Sequence, residues 1–490
     1  MSRRRRLRAI RPPFVVAPPP AVRIRTRLFV SHEDEDVLRE VGAYLGHLAC
    51  VDLAIRCREG PLDAKARAAS RRERKRRLTS ASSSRWAGAI TRTTEDAWQL
   101  AWRNVAAEIK TLRSRINRIK RRLVVPVGER RGRWRGYSTR AEHFEKQRRM
   151  HALAARLAAL EARVQDGRVS ICRGGRELAR IRHSPGEDAF NRAGWRDRWD
   201  AARMFISADG EASKAWGNET IRWRPDECSL EIKLPVPLAY LANRSRGRYR
   251  LSCPVAFPYR GNEAGAQAAT GAIRYDICFD TARQRWYLDA SWKVHRHDVS
   301  LVELRLGRVV AVDLNSGHLA AVVVDESGNC VGAPFTIPLE LSGLPASTRD
   351  GRLRAAVSEL LDRAMRCGCG ALVIEDLDFS RVRAEGREYG GRRPSYGARG
   401  RAFRGLVHGI PTARFRDRVV QMATNKGLSV IAVDAAYTSQ WGVEHWLGAL
   451  QQLSPDTNGH HGAALVIGRR ALGQRARRRE RCDSNPPEDG

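Results

Sequence analysis

Apolar and polar positions along the chain follow three rhythms, and these divide it before any motif is considered. In Val37–Arg56, Thr94–Leu123 and Arg140–Val164, apolar residues recur every three or four positions, the spacing of amphipathic helices, and the last two carry Arg and Lys on the opposite face. Ser31 followed by HEDED reads as an N-cap with acids in the first helical turn, which accounts for His32 and its neighbours without a metal. The last two helices predict an antiparallel pair that presents positive charge along one side, joined by a basic connector, Val124–Tyr137. Arg67–Arg77 is a basic run in a Ser/Ala-rich stretch. It predicts a solvated connection, with contact to a nucleic-acid backbone as the functional alternative.

The second rhythm is alternation. Ala21–Ser31 (AVRIRTRLFVS) reads as a strand with one wet, positive face. From about Gly167 short strand-like runs are separated by turn residues: VSICRGGREL, ARMFISADG, ETIRWRP, CSLEIKLP, GRYRLSCPVAFP, GAIRYDICF and RQRWYLDASWKV. That pattern predicts a β-barrel or sandwich. Trp195, Trp199, Trp216, Trp223, Trp286 and Trp292 fall here, as core or edge residues or as platforms for stacked bases.

The third rhythm begins after Lys293. Arg308–Gly332 (RVVAVDLNSGHLAAVVVDESGNCVG) is an apolar run with Asp313 at its end, a turn through Asn315–Gly317, and a second apolar run, which predicts a β-hairpin. Ala371–Phe379 (ALVIEDLDF) repeats the arrangement with Glu375. Helix Ser347–Cys367, an Arg-, Gly- and Tyr-rich loop at Ser380–Arg404, helix Ala413–Lys426, strand Leu428–Val433 and a helical Ala463–Leu472 complete the series. Hairpin, helix, strand, helix, strand, helix is the order an RNase H-like core requires. Strand ends are where binding and catalytic groups collect in α/β sheets. Two carboxylates there are what metal-assisted phosphodiester hydrolysis needs, because hard cations such as Mg²⁺ take oxygen ligands.

Composition adds a partner. The chain of 490 residues carries 89 Lys and Arg against 54 Asp and Glu, a net charge of +35, nearly all of it Arg. Such an excess favours a polyanion, since neutralising phosphates releases condensed counterions. An anionic membrane could use the same charge, but no apolar run approaches a spanning helix and there is no acylation motif. Residues 1–20, MSRRRRLRAIRPPFVVAPPP, are too broken by Pro for a signal peptide and read as a flexible basic arm. Ten scattered cysteines contain no CxxC pair, which predicts reduced, packed thiols and no cysteine-built zinc site.

At this point the residues resemble a family. AVDLNSGHLA, then the Glu of VIEDL 62 residues after its Asp, then VDAAYTSQWG, resembles the run of RuvC motifs in TnpB-type transposon nucleases, the relatives of type V CRISPR effectors. VSICRGGREL, GNETIRW and RWYLDASW resemble the wedge-domain strands of actinobacterial members, and Ala413–Leu472 with IGRRALG resembles their C-terminal end. The resemblance implies a multidomain α+β protein, a β-barrel wedge domain with an inserted basic helical recognition domain, followed by an RNase H-like (RuvC) α/β domain. Its expected divisions are a wedge at 21–31 plus 167–300, recognition helices at 32–166, a RuvC-like domain at 301–440 plus 460–473, and a disordered basic tail at 474–490. It further implies an RNA-guided DNA-binding protein that cuts target DNA with Mg²⁺ or Mn²⁺, with guide RNA and target DNA as partners in a bacterial, nucleoid-associated cytoplasmic setting, and Ser380–Arg404 as a lid over the scissile strand.

Asp313 and Glu375 match the family's first two catalytic acids. Two departures stand beside them. Residues 441–459 contain no Cys where the family has a zinc ribbon, so a zinc-free insert is expected, with His445, His460 and His461 as a metal alternative. Where the third catalytic Asp belongs, the chain reads His460–His461. Either His could ligate a transition metal, though poorly Mg²⁺, or serve as a helix cap, and Asp456 could replace the missing carboxylate if its loop folded back. The loss of that acid leaves open an RNA-guided binder that holds DNA without cutting and blocks transcription.

Overall fold

The structure is a computed structural model in which residues 8–132, 134–183, 192–294, 299–377 and 412–477 are described; the expected lid at Ser380–Arg404 lies outside them. The chain divides into two compact units, one of residues 21–294 and one of residues 1–20 with 295–490.

The second of these units holds a six-stranded sheet. In chain order its strands are β1 (Phe14–Val15), β2 (Val309–Leu314), β3 (His318–Val324), β4 (Phe335–Pro338), β5 (Ala371–Glu375) and β6 (Ser429–Val433). They lie in the order β1-β6-β5-β2-β3-β4. β2, β3 and β4 pair antiparallel, while β2, β5 and β6 run parallel. Without β1 this is the RNase H-like core that the hairpin–helix–strand–helix–strand–helix order requires.

Helices cover both faces, which is why β2 and β3 read as unbroken apolar runs rather than alternating ones. Val310, Val312, Leu372 and Val430 pack with α1 (Ala346–Arg366) and α2 (Thr412–Asn425). Val309, Ala311, Val373, Ile431 and Val433 pack with α3 (Gly459–Ala471) on the other face. α3 approaches closely at Gly468, where an added Cβ would lie 2.6 Å from Val324 Cγ2 and 3.0 Å from the Ala311 Cβ.

The first twenty residues are not wholly a free arm. β1 pairs antiparallel with β6, Phe14 opposite Ala432, so the FVV run that is too short for a signal peptide serves as an edge strand. Residues 474–477 also depart from a disordered tail: the side chain of Gln474 donates to the Glu326 carbonyl, and Arg469 to the carbonyl of Arg475. The cysteine-free segment at 441–459 continues as helical turns through Leu453.

In the unit of residues 21–294 the strands form a four-stranded sheet, a three-stranded sheet and a small two-stranded ribbon; among the described residues none closes into a barrel. The turn-rich sequence specified strands but not their closure. Among the described residues the region also holds α-helices, at Arg176–His183, which takes the end of VSICRGGREL, at Arg192–Arg203 and at Gly261–Thr270. Trp223, Trp286 and Trp292 are buried core residues. Ser31 caps helix His32–Glu59 in a full capping box with Asp34. The basic run Arg67–Arg77 is not a solvated connection but lies in helix Ala64–Ala81, which packs beside Ser84–Leu123. Arg74 is buried there because it pairs with Asp52 and Glu95.

Candidate active site

Period-2 alternation and strand register bring the two predicted carboxylates together. Val309 and Ala311 face α3, so Asp313, two positions on, points to the same face; Ala371, Val373 and Glu375 repeat this in the neighbouring strand. Parallel pairing matches Val312 to Ile374, and the same register carried one residue further sets Asp313 beside Glu375. Asp313 is only 5% exposed.

The two histidines make different contacts. Asn458 caps α3, which places His460 in its first turn, with Nδ1 2.9 Å from Asp313 Oδ2. Asn315 Nδ2 donates to the same oxygen at 3.1 Å. The bond to Asp313 raises the His460 pKa, favouring the imidazolium. His461 instead closes the cap: the Asn458 N–H donates to its Nδ1 at 3.2 Å, and its Nε2 lies 3.1 Å from Thr336 Oγ1. Accepting at Nδ1 requires a neutral ring, and burial lowers the His461 pKa accordingly. His318, on β3, stacks edge-on against His460 at 5.1 Å, and burial keeps it neutral too.

Asp456 lies exposed in the turn before α3, and no hydrogen bond or ion pair joins it to Asp313 or Glu375 among the described residues. His445 meets Arg477 at 3.3 Å and Glu444 at 3.9 Å, and among the described residues no hydrogen bond or ion pair joins it to Asp313 or Glu375.

Glu375 accepts from Thr438 Oγ1 at 2.5 Å. Burial first, and then the neighbouring Asp313 charge, push its pKa up to about 7 despite the Thr438 bond and the positive charge of Arg470. A third strand-end acid, Asp434, follows β6 directly. Although burial opposes it, Asp434 is held below the usual carboxylate range by the backbone N–H groups of Arg11 and Ala436 and by the guanidiniums of Arg8 and Arg11. Sequence reasoning missed Asp434, Thr438 and Asn315. Asp434 carried the signal already used for the other two acids, an apolar run ending in a carboxylate; Asn315 lies in the hairpin turn and Thr438 opens a one-turn helix, Thr438–Trp441, and no periodicity specifies the direction of either.

Asp313, Glu375 and His460 are thus neighbours, yet among the described residues no group of three or more His, Cys, Asp or Glu is gathered so as to hold a metal ion. The pair itself fits a hard divalent cation: two oxygen donors on adjoining strands repel each other, and a cation between them would relieve the strain recorded in Glu375. The third strand-end acid offers a second cation no free carboxylate, because the Asp434 oxygens are engaged by Arg8 and Arg11.

No family model and no curated protein matches the chain. Among solved structures it is similar to Thermus thermophilus RuvC in complex with Holliday junction substrate, at 19% identity over 34% of this chain and 94% of that one, TM-score 0.25. RuvC from the same organism is matched at 18% identity over 33% and 92%, TM-score 0.22. The Cas12f1–sgRNA–target DNA complex is matched at 9% identity over 91% of this chain and 98% of that one, TM-score 0.25.

Proposed function

We propose that this chain is an RNA-guided DNA-binding nuclease of the TnpB type, whose RuvC-like sheet cuts DNA by metal-dependent phosphodiester hydrolysis. The observation that carries the reading is the pair Asp313 and Glu375, side by side on parallel strands of an RNase H-like sheet and facing one helix. These two would hold the cation, Mg²⁺ or Mn²⁺, which would supply charge stabilisation for the phosphoryl transition state and a water of lowered pKa. The chain's own residues prepare the pair. Asn315 and His460 fix one Asp313 oxygen, and Thr438 fixes Glu375. His460 stands where the family carries an acid; as a ligand it would favour Mn²⁺ over Mg²⁺. The division into wedge, recognition helices and nuclease domain belongs to the same reading, as do guide RNA and target DNA, which rest on the sequence resemblance and on a net charge of +35.

One observation favours a second reading, a guide-dependent binder that does not cut. His460 already bonds Asp313 at 2.9 Å, a contact that raises its pKa, so the pair is partly satisfied without a cation. Both readings require a discrete noncoding RNA. Sequencing the RNA that co-purifies with the protein should return one dominant species, and a random sample of cellular RNA would overturn both.

A further inference from the structure

The unit of residues 21–294 holds a cleft of about 390 Å³ that neither reading uses. It lies between helices Ala64–Ala81 and Ser84–Leu123, with Ala64 and Ala68 as its apolar lining. Arg67 and Arg71, one turn apart, line it from the first helix, and Gln99 and Arg103, also one turn apart, from the second. The three guanidiniums have no hydrogen bond or ion pair among the described residues. Arg74, one turn beyond Arg71, is the contrast: it is 2% exposed and fully engaged with Asp52 and Glu95. The helix therefore spends one Arg on its own fold and leaves two facing open space. Of the two acids on the wall, Glu95 is neutralised by Arg56 and Arg74. Asp96 stands opposite three arginines, so the lining is net positive and an anion is confined to the arginine side.

A stacking platform adjoins the cleft. Trp98 is buried beneath the Arg56 guanidinium, 3.9 Å over its ring, and Trp102 stacks on Trp98 at 5.2 Å and 12°. Trp102, three residues from Gln99 and hence its neighbour on the helix surface, is only partly covered. A cation–π contact beneath and a parallel partner hold this ring rigid, so a base stacking on it would lose little conformational freedom there.

We propose that this cleft binds one segment of single-stranded nucleic acid, with backbone phosphate on Arg67, Arg71 and Arg103 and a base on Trp102. A volume of this size lies in the range of sites that accept a whole small ligand rather than a lone anion. The inference rests on the nucleic-acid-binding part of the proposed function and not on cleavage.

Binding of labelled oligouridine and oligodeoxythymidine by the full-length protein, stripped of RNA and kept in EDTA, tests it separately from the nuclease site. Trp102→Ala should weaken binding about tenfold, and Trp102→Phe should restore it to within about twofold, since stacking on an aromatic face is worth roughly that per base. Arg71→Ala and Arg103→Ala should each weaken it about tenfold and reduce the salt slope by about 0.7, the value per phosphate of a single strand. Arg72→Ala, which removes an exposed charge from the same helix outside the cleft, should cost no more than about twofold. Unchanged binding by Trp102→Ala, an Arg72→Ala loss equal to that of Arg71→Ala, or binding of neither strand would overturn the proposal. All variants are compared at equal thermal stability, and the tighter of the two oligonucleotides identifies the strand.

Discussion

Among the described carboxylates, Glu375 is the one whose ionisation the fold resists. Its pKa, about 7 in the folded chain against an ordinary value of 4.5, means that the unfolded chain releases this proton first as pH rises. Stability contributed by the protonated form is therefore complete below about pH 4.5 and lost between there and pH 7, by about 2–4 kcal/mol. In EDTA the wild-type melting temperature should fall across that window relative to that of Glu375→Gln. His460 acts in the same direction above its ordinary value of 6.5, whereas His318 and His461, whose pKa values burial lowers, act in the opposite direction below it, so the difference between wild type and Glu375→Gln is what isolates Glu375. A second residue-scale prediction concerns His460→Asp. Restoring a carboxylate adds an oxygen ligand for Mg²⁺, so cleavage in Mg²⁺ should rise about tenfold or more relative to cleavage in Mn²⁺; an unchanged metal preference would place His460 outside the metal's reach. Asp313 and Glu375 were legible from the sequence because a strand-end acid after an apolar run is a local pattern. Which histidine would reach Asp313 was not legible, because adjacent residues of a helix point about 100° apart and only the cap at Asn458 sets the rotation.

At the scale of elements, α3 governs the site, since it carries His460 and lies across the strands bearing both acids. Its close seat on the sheet makes Gly468 a sensitive position. Gly468→Ala would gain up to about 1 kcal/mol of helix propensity, but it pushes a methyl against Val324 and the immovable Cβ of Ala311. A net loss of about 1–2 kcal/mol is expected, read as a lower denaturation midpoint with an unchanged slope. The sheet and its helices could be read from the sequence because buried runs and amphipathic stripes each leave a periodic trace. Helix Ala64–Ala81 could not: its run of Arg and Lys carries no apolar stripe, and what buries it is the pairing of Arg74 with carboxylates more than twenty residues away. The barrel failed for a related reason, because closure depends on which strands pair at the edges and no short-range pattern records that.

At the scale of the whole molecule, the net charge of +35 and the pair of strand-end acids make complementary demands. The excess of arginine suits a polyanion and makes association steeply salt-dependent, whereas the acids repel phosphate unless a cation lies between them. Raising salt should therefore weaken nucleic-acid binding by orders of magnitude, and removing divalent metal should abolish cutting while leaving binding in place. Among the described residues no helix is long and apolar enough to cross a membrane. The central claim is that Asp313 and Glu375 form a metal-dependent cleavage centre. Incubating the purified protein and its own RNA with a matching plasmid, in Mg²⁺ and in Mn²⁺, tests it most directly. Wild type should linearise the plasmid in at least one metal and Asp313→Ala in neither, with both binding the target equally; cleavage that survives Asp313→Ala would contradict the claim.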